Sequence, residues 1–267
     1  MVAEPIFVPP ARNEKMIKIP DYKKILQDSE AFKVSAFRIP KGARRVWVEK
    51  EELAQETIPK DDKLLLKIGI QPDSKVLVIA GYYGEWANAF ARAGCKVDYS
   101  ELSPEIVNFA KKKYGQNKNI KKWLAKNYVE VPENSEEYDW TISFEPTGSK
   151  MGLPIAVVRS LINKIGVTII HYPRESVPAE RYEWMKIISD IYDCNFERRK
   201  IMIKGLTHHQ KPINQNHIIT TLKTNQESRK MVREDISCLE NGIISAASVK
   251  RLEKIGSLLD QKYLMEI

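Results

Sequence analysis

The stretch KVLVIAGYYGEWANAFARAGCKVDYSELSPEIVNFAKKKY, residues 75–114, decides the fold that this sequence predicts. It opens with an apolar, β-branched strand and passes a turn that contains Gly81 and Gly84. A helix of small residues follows, which Gly94 can end, and then a second strand that ends at Glu101. The order of strand, turn, helix and strand predicts a βαβ unit whose first turn lies at the carboxyl edge of a parallel sheet.

Glu101 stands where a nucleoside-binding carboxylate is expected. It comes about 20 residues after the glycine turn, and a carboxylate at this strand tip can accept hydrogen bonds from both hydroxyls of an adenosine ribose. Ser103 can cap the next helix, Pro104 suits its first position, and Glu105 favours its first turn. The sequence therefore predicts a helix that begins just after the ribose contact.

The succession of apolar strand, glycine turn and ARAGCKVDYSELSPEIV resembles the first two motifs of the class I S-adenosylmethionine-dependent methyltransferases. In that family the first strand usually carries an acidic residue and the turn reads Gly-x-Gly-x-Gly. Here Val78 stands in the acid's place, and the glycine places hold Ala80, Tyr82 and Gly84, so the chain resembles a divergent member. The resemblance implies S-adenosylmethionine as the cofactor and direct displacement at its methyl carbon.

The fold that the resemblance implies is α/β and Rossmann-like, with a mostly parallel seven-stranded sheet and helices on both faces. Three parts are predicted: an N-terminal extension that lids the substrate side (residues 1–70), a cofactor-binding domain (residues 71–224) and a C-terminal helical appendage (residues 225–267). The extension has two alternatives, an oligomer contact and a simple edge addition to the sheet. The appendage either packs on the same chain or joins two copies in a homodimer.

Strand and helix patterns alternate along the cofactor-binding domain. Strands are predicted at residues 76–79, 96–100, 121–124, 139–144, 167–171, 196–203 and 217–222, and helices at 85–92, 104–113, 153–164 and 179–192. The segment from residue 225 to the turn at Asn241 and Gly242 is a charged stretch that is assigned no element. A last helix is predicted from about residue 246 to about residue 264, with Ser245 as its cap.

A dinucleotide such as NAD is the main alternative to S-adenosylmethionine. Its pyrophosphate needs the second and third glycines of Gly-x-Gly-x-x-Gly for a close approach to the helix. Counted from Gly81, those places hold Tyr83 and Trp86; counted from Ile79, Gly81 and Gly84 fit but the first glycine is lost. The pattern therefore disfavours NAD. In a third interpretation, the glycines serve only a tight turn.

Composition narrows the class of protein. The 267 residues are 43% apolar and 29% charged, which is typical of a globular protein that buries a full core. The net charge of +8 fits RNA, an anionic substrate or a lysine-rich solvated surface. Three distant cysteines indicate neither a disulfide framework nor a zinc site. The sequence has no apolar stretch of membrane-spanning length and no signal-peptide core, so we expect a cytoplasmic protein.

The resemblance implies a cofactor site and an acceptor site. The predicted cofactor contacts are Ala80, Gly81, Tyr82, Gly84, Glu85, Trp86, Glu101, Leu102 and Asn127. The predicted acceptor contacts are Tyr83, Thr147 and Arg174, and the predicted catalytic residues are Glu145, His171 and Tyr172. The amides that open the first helix would bind the cofactor's carboxylate, Glu101 its ribose and Asn127 its adenine.

The catalytic roles leave alternatives open. His171 ends the fifth strand and is a candidate general base, or a hydrogen-bonded structural histidine. Glu145 contacts either the ligand or the backbone at the start of a helix. No metal site is predicted, because the adjacent His208 and His209 have no third ligand at suitable spacing.

The acceptor is predicted from the motif after the fourth strand. The amino-methylating branch of the family carries Asn or Asp, two prolines and an aromatic residue there. This chain reads FEPTG instead, which disfavours an adenine or amide nitrogen as the methylated atom. We expect a small planar molecule such as a cofactor precursor. The divergent motif and the chain length also resemble the pyridinol C-methyltransferases of iron-hydrogenase cofactor biosynthesis. Two alternatives remain, an RNA methyltransferase that uses the basic surface and a non-catalytic nucleoside-binding module.

Overall fold

The structure, a computed structural model, does not describe the whole chain. It describes residues 58–81, 83–101, 103–126, 137–144, 152–171, 182, 184–206, 211–241 and 245–259. The predicted N-terminal lid therefore lies outside the described residues up to residue 57. The predicted boundaries between the three parts of the chain stay predictions.

One eight-stranded sheet forms the centre, in the order β1-β7-β8-β6-β5-β2-β3-β4. The strands are β1 (Ile58–Pro59), β2 (Lys75–Ile79), β3 (Lys96–Glu101), β4 (Ile120–Ala125), β5 (Trp140–Phe144), β6 (Gly166–His171), β7 (Asn195–Leu206) and β8 (Pro212–Lys223). Strands β2 to β6 are parallel to one another, β8 is antiparallel to both β6 and β7, and β1 is antiparallel to β7. The predicted mostly parallel, Rossmann-like α/β class is confirmed.

The strand count of seven was wrong by one, because β1 adds an edge strand. Ile58 pairs with Leu206, and the amide of Lys60 donates to the Lys204 carbonyl at 3.0 Å. Pro59 has no N–H for a further ladder bond, which confines it to an edge. A two-residue strand that contains proline shows no alternation, so the sequence pattern does not reveal it.

The described residues form seven helices. They are α1 (Leu64–Ile68), α2 (Glu85–Arg92), α3 (Pro104–Tyr114), α4 (Gly152–Ser160), α5 (Trp184–Tyr192), α6 (Gln226–Asn241) and α7 (Ala246–Leu259). Helix α2 ends as predicted at Gly94, which has φ of 104°. The amide of Cys95 donates to the Phe90 carbonyl at 3.1 Å and that of Gly94 to Ala91 at 3.3 Å, the pattern of a Schellman motif.

Helix α6 was missed because half of its buried stripe is polar. Ser228, Val232, Asp235 and Cys238 recur at helical spacing and are all buried. A serine and an aspartate in that stripe hide the apolar period on which a sequence prediction depends. Helix α7 begins as predicted, since the Ser248 amide donates to the Ser245 hydroxyl at 3.0 Å.

Helices cover both faces of the sheet. The front face, covered by α1, α2 and α3, packs Phe90 and its neighbours on Val76, Val78 and Ile142. The back face is covered by α4 to α7, and its core includes Ile155, Ile169, Met185, Leu222, Val232 and Ile255. Because Ile255 lies in this core, α7 packs on its own chain. The predicted homodimer stays a prediction.

A buried ion pair ties the C-terminal helices to α5. The Asp235 side chain is fully buried and accepts from Arg251 Nη2 at 2.6 Å, from Arg251 Nε at 2.9 Å and from the Tyr192 hydroxyl at 2.9 Å. Burial and then the Asp235 carboxylate raise the pKa of Tyr192 well above its usual value, so the phenol stays a donor. One carboxylate therefore joins α5, α6 and α7.

We predict that Asp235→Asn lowers the free energy of unfolding by about 3–5 kcal/mol, because it removes the fully buried carboxylate that pairs with the largely buried Arg251 guanidinium. The matched control is Glu234→Gln, which removes the exposed carboxylate 3.2 Å from the same arginine. That change should cost less than about 1 kcal/mol. Urea denaturation measures both, and equal losses would show that the buried network does not hold the appendage.

Candidate functional site

The carboxyl ends of the parallel strands meet at one edge of the sheet. Strand β2 leads into the Ala80 and Gly81 turn, β3 ends at Glu101, β5 at Phe144 and β6 at His171. Ligands of open α/β sheets bind in the crevice beyond this edge. The structure thus brings the predicted turn, the predicted ribose carboxylate and the predicted base to the same edge of the sheet.

The turn after β2 has an unusual backbone. Ala80 has φ of 48° and Gly84 has φ of 84°, both in the left-handed region. The Gly81 amide donates to the Ser100 carbonyl at 3.0 Å, and the Gly84 amide donates to Gly81 at 3.1 Å. Helix α2 starts directly afterwards at Glu85. The first amides of a helix have no carbonyl partner within it, so the start of α2 offers donors to an anion at the carboxyl edge.

Gly81 permits a close contact with the neighbouring strand. A Cβ atom at this position would lie 2.4 Å from Cε2 of Tyr99, whose ring is buried. Burial raises the pKa of Tyr99 well above its usual value, and the charges of Glu101 and Glu85 raise it further. The glycine therefore has a packing role beneath the turn, and the turn lies directly above a neutral phenol.

The side chains of Tyr83 and Glu85 face α3. The Tyr83 ring is 1% exposed and meets Phe109 edge to face at a centroid distance of 5.6 Å. The buried Glu85 carboxylate lies 3.3 Å from Lys113 Nζ and 3.5 Å from the Tyr114 hydroxyl. Both residues therefore present backbone rather than side chain to the edge, and the proposed acceptor contact of Tyr83 stays a prediction.

Glu101 is the half-buried last residue of β3. The predicted cap follows it, since the Ile106 amide donates to the Ser103 hydroxyl at 3.4 Å and that hydroxyl donates to Glu105 at 2.8 Å. Because α3 begins so soon after the strand, Glu101 is fixed at the strand tip where the ribose prediction places it.

An aromatic cluster on the front face contains a residue that sequence reasoning missed. Trp86 stacks on Phe144 at 4.6 Å between centroids, and the His217 ring lies 5.4 Å from Trp86 and 6.2 Å from Phe144. Burial lowers the pKa of His217 to about 4, against the opposing effect of its contact with the Gln215 carbonyl. The only sequence signal for this histidine was its place at the start of the predicted strand 217–222.

His171 lies on the opposite, back face. Its ring is 1% exposed and lies 4.7 Å from the Tyr182 ring, centroid to centroid. Two hydroxyls share this face, Ser143 on β5 and Thr220 on β8, and both are buried without a hydrogen-bond partner in the described structure. The back face at the carboxyl edge is thus polar where the front face is aromatic.

Several predicted site residues cannot be placed. Tyr82, Leu102, Asn127, Glu145, Thr147, Tyr172 and Arg174 lie outside the described residues, as do His208 and His209. Within the described ranges, no three metal-binding side chains gather into a possible site. None of the described helices combines the length and the apolar character that a membrane span requires.

The sheet order and the turn that leads into α2 define the class of this protein, a Rossmann-like α/β protein with a βαβ unit at its centre. No protein-family model matches the chain, and no curated protein matches it significantly.

Solved methyltransferase structures are similar to this chain at low identity. A candidate RNA methyltransferase from Pyrococcus horikoshii is 18% identical over 61% of this chain and 81% of its own, with a TM-score of 0.46. Magnesium protoporphyrin IX methyltransferase from Synechocystis with bound S-adenosylmethionine is 15% identical over 61% and 76%, with a TM-score of 0.46. An S-adenosylmethionine-dependent methyltransferase from Aquifex aeolicus is 16% identical over 63% and 91%, with a TM-score of 0.46. These likenesses concern the fold alone.

We predict that His217 makes the folded protein less stable as the pH falls. Its folded-state pKa of about 4 lies below the usual 6.5, so the unfolded chain binds the proton first. Stability is fully present above about pH 6.5 and is lost down to about pH 4. Between pH 7 and pH 5 this residue should account for a loss of about 2 kcal/mol. In the variant His217→Phe, the free energy of unfolding measured with denaturant should fall by about 2 kcal/mol less between pH 7 and pH 5 than in the unmodified protein. An unchanged pH dependence would refute the lowered pKa of His217.

Proposed function

We propose that the protein is an S-adenosylmethionine-dependent methyltransferase that acts on a small planar molecule, such as a cofactor precursor of the pyridinol type. The observation that carries the proposal is the pairing of two features at one sheet edge. The Ala80 to Gly84 turn opens α2 with free helix-end donors, and Glu101 ends the neighbouring strand β3. These groups suit the two ends of an amino-acid-bearing adenosine.

The described residues fit the cofactor at two points. The amides at the start of α2 would bind the carboxylate of its amino-acid part, and Glu101 would accept hydrogen bonds from its ribose hydroxyls. Leu102 and Asn127 remain proposed cofactor contacts, with Asn127 at the adenine. The cofactor supplies an electrophilic methyl group on a sulfonium, and the protein's part is to align an acceptor with it and to exclude water.

The predicted base belongs to the acceptor side. His171 ends β6, next to β5 and its tip at Phe144, where the FEPTG motif begins. In the proposed reaction His171 takes the acceptor's proton as the methyl group is transferred, and Tyr172 and Glu145 hold the acceptor in place. A displacement of this kind needs no covalent intermediate with the protein.

Counted from Gly81, one residue of the pattern that disfavours a dinucleotide is a core residue of the structure. Trp86 occupies the place of the third fingerprint glycine, and its ring is 3% exposed between α2 and the sheet. A glycine at that place lets the helix and the strand approach each other closely. Here the indole ring fills the space between them. We therefore propose binding of S-adenosylmethionine in preference to NAD.

We predict that Glu101→Gln weakens binding of S-adenosylmethionine by about 1.5–3 kcal/mol, the usual range for hydrogen bonds to a charged acceptor. Glu105→Gln is the matched control, since this exposed carboxylate lies in the next turn and accepts from the neighbouring Ser103 hydroxyl at 2.8 Å. It should leave the affinity unchanged.

Calorimetric titration with S-adenosylmethionine and with NAD measures both affinities. Tighter binding of NAD by the unmodified protein would overturn the assignment. If Glu101→Gln instead lowers the thermal stability of the ligand-free protein as much as it lowers affinity, Glu101 is a structural residue and the ribose role is wrong.

A further inference from the structure

We propose that the methyl acceptor carries an anionic group, a carboxylate or a phosphate, and that the exposed face of the β7–β8 hairpin binds it. The inference rests on the proposed function, because it names the substrate class of that same site. The surface in question, the basic ribbon, consists of the back-facing residues of the hairpin from the row of His171, the last residue of β6, outward, with Lys200 and Lys204 as its cations.

The hairpin extends past the carboxyl edge of the sheet. Strand β6 ends at His171, which pairs with Ile218, whereas β7 and β8 stay paired as far as Leu206 and Pro212. Six residues of each strand therefore project beyond the last residue of β6, a length of about 20 Å in extended conformation. The projecting part forms a wall beside the crevice in which the acceptor is proposed to bind.

The two faces of this wall differ in exposure. On the front, Ile203 and His217 are fully buried, and they join the aromatic cluster around Trp86. On the back, Lys200, Met202 and Lys204 are exposed. Because side chains alternate across a strand, the front face anchors the hairpin and the back face is left open to a ligand.

The exposed face is positively charged, and a carboxylate of the adjoining loop, Asp61, accepts from the Lys204 amide at 3.0 Å and is paired with Lys67. Strands β7 and β8 are described in full, and their only carboxylate, Glu197, lies on the front face, 3.1 Å from Arg199 Nε and 3.3 Å from Lys223 Nζ. The pairing of β1 continues to Lys60, whose amide bonds the Lys204 carbonyl and whose side chain therefore shares the Lys204 face. Such a surface attracts an anion to the edge of the site.

The back face also holds polar atoms that lack a partner. Thr220 Oγ1 and Ser143 Oγ are at least 99% buried, and neither has a hydrogen-bond partner in the described structure. The strand register places them in one row across β8, β6 and β5, with Ile169 between them. Buried hydroxyls without a partner are rare and call for a bound group that accepts from them. Of the two, Thr220 lies nearer the lysines, since it is two residues from Ile218, the pairing partner of Lys200, on the same face of β8.

The register brings these features next to the predicted base. Lys200 pairs with Ile218, and Ile218 pairs with His171, so the lysine and the histidine lie in one row, two strand spacings or about 10 Å apart. A planar ring with one anionic substituent spans this gap when the substituent meets the Lys200 ammonium group. The ribbon would thereby turn the acceptor's reacting atom toward His171 and the cofactor.

The test uses three probes of matched shape: benzoate, phenyl phosphate and the neutral benzamide. Each is titrated by calorimetry into the full chain saturated with S-adenosylhomocysteine, at low salt. We expect at least one of the two anions to bind at least about fivefold more tightly than benzamide. In the double variant Lys200→Gln and Lys204→Gln this preference should fall at least about fivefold. Lys96→Gln, an exposed lysine at the opposite edge of the sheet, is the control and should change nothing.

Three results would overturn the proposal: benzamide binds as well as both anions, neither anion binds, or the double variant keeps the preference. An RNA oligomer that binds more tightly than either anion, loses affinity steeply with salt and depends on the same two lysines would assign the ribbon to a nucleic-acid backbone and also overturn it.

Titration of the same proteins with S-adenosylmethionine separates this proposal from the proposed function. The double variant should keep the cofactor affinity of the unmodified protein, since its lysines act on the acceptor alone. If the unmodified chain binds the anions but no S-adenosylmethionine, the methyltransferase assignment fails while the anion site stands.

Discussion

The contact between the Tyr99 ring and Gly81 is the constraint on which the site depends. Tyr99 comes from β3 and Gly81 follows β2, so the contact fixes the height of the turn above the neighbouring strand. The bond from the Gly81 amide to the Ser100 carbonyl holds the same two segments together. Glu101 is the next residue along β3, and α2 begins four residues after Gly81. The separation between the helix-end donors and the carboxylate is thus set by packing and one backbone bond.

The front-face aromatic cluster extends this constraint to the acceptor side. Trp86 belongs to α2, Phe144 to the tip of β5 and His217 to the projecting hairpin, and their rings are in direct contact. Because His217 is neutral down to about pH 4, the cluster holds no buried charge at neutral pH. A displacement of the hairpin would separate these rings, so packing couples the position of the basic ribbon to the position of the turn that is proposed to hold the cofactor.

Sequence reasoning succeeded where local signals mark the ends of elements. Helix α2 was predicted to the residue, since a left-handed Gly84 precedes it and the Schellman turn at Gly94 ends it. It failed where burial and tertiary pairing decide. Strand β1 exists only because β7 offers it an edge. Helix α6 buries Ser228 and Asp235 in its stripe, where the Ser228 hydroxyl donates to the Asp193 carbonyl at 3.0 Å and Asp235 pairs with Arg251.

The site could be predicted only in part for the same reason. Glu101 and the turn follow from spacing along one βαβ unit, whereas the row that joins Lys200, Ile218 and His171 follows from the register of strands that are distant in sequence. No periodicity within a single segment encodes that register. The turn residues of the sequence therefore indicated the proposed cofactor side. Only the strand pairing of the folded sheet shows that Lys200 lies in the same row as the predicted base His171.

The strand register also shows where part of the net charge of +8 lies in the fold. Two lysines of the basic runs near α3 and β4 have carboxylate partners, since Lys113 lies 3.3 Å from Glu85 and Lys122 lies 3.3 Å from Asp98. Those two charges are partly balanced within the fold. On the basic ribbon, by contrast, neither β7 nor β8 places a carboxylate on the face of its lysines. A ligand is attracted by the unbalanced part of a charge distribution, and the lysines of the ribbon place such a part beside the predicted base at the carboxyl edge.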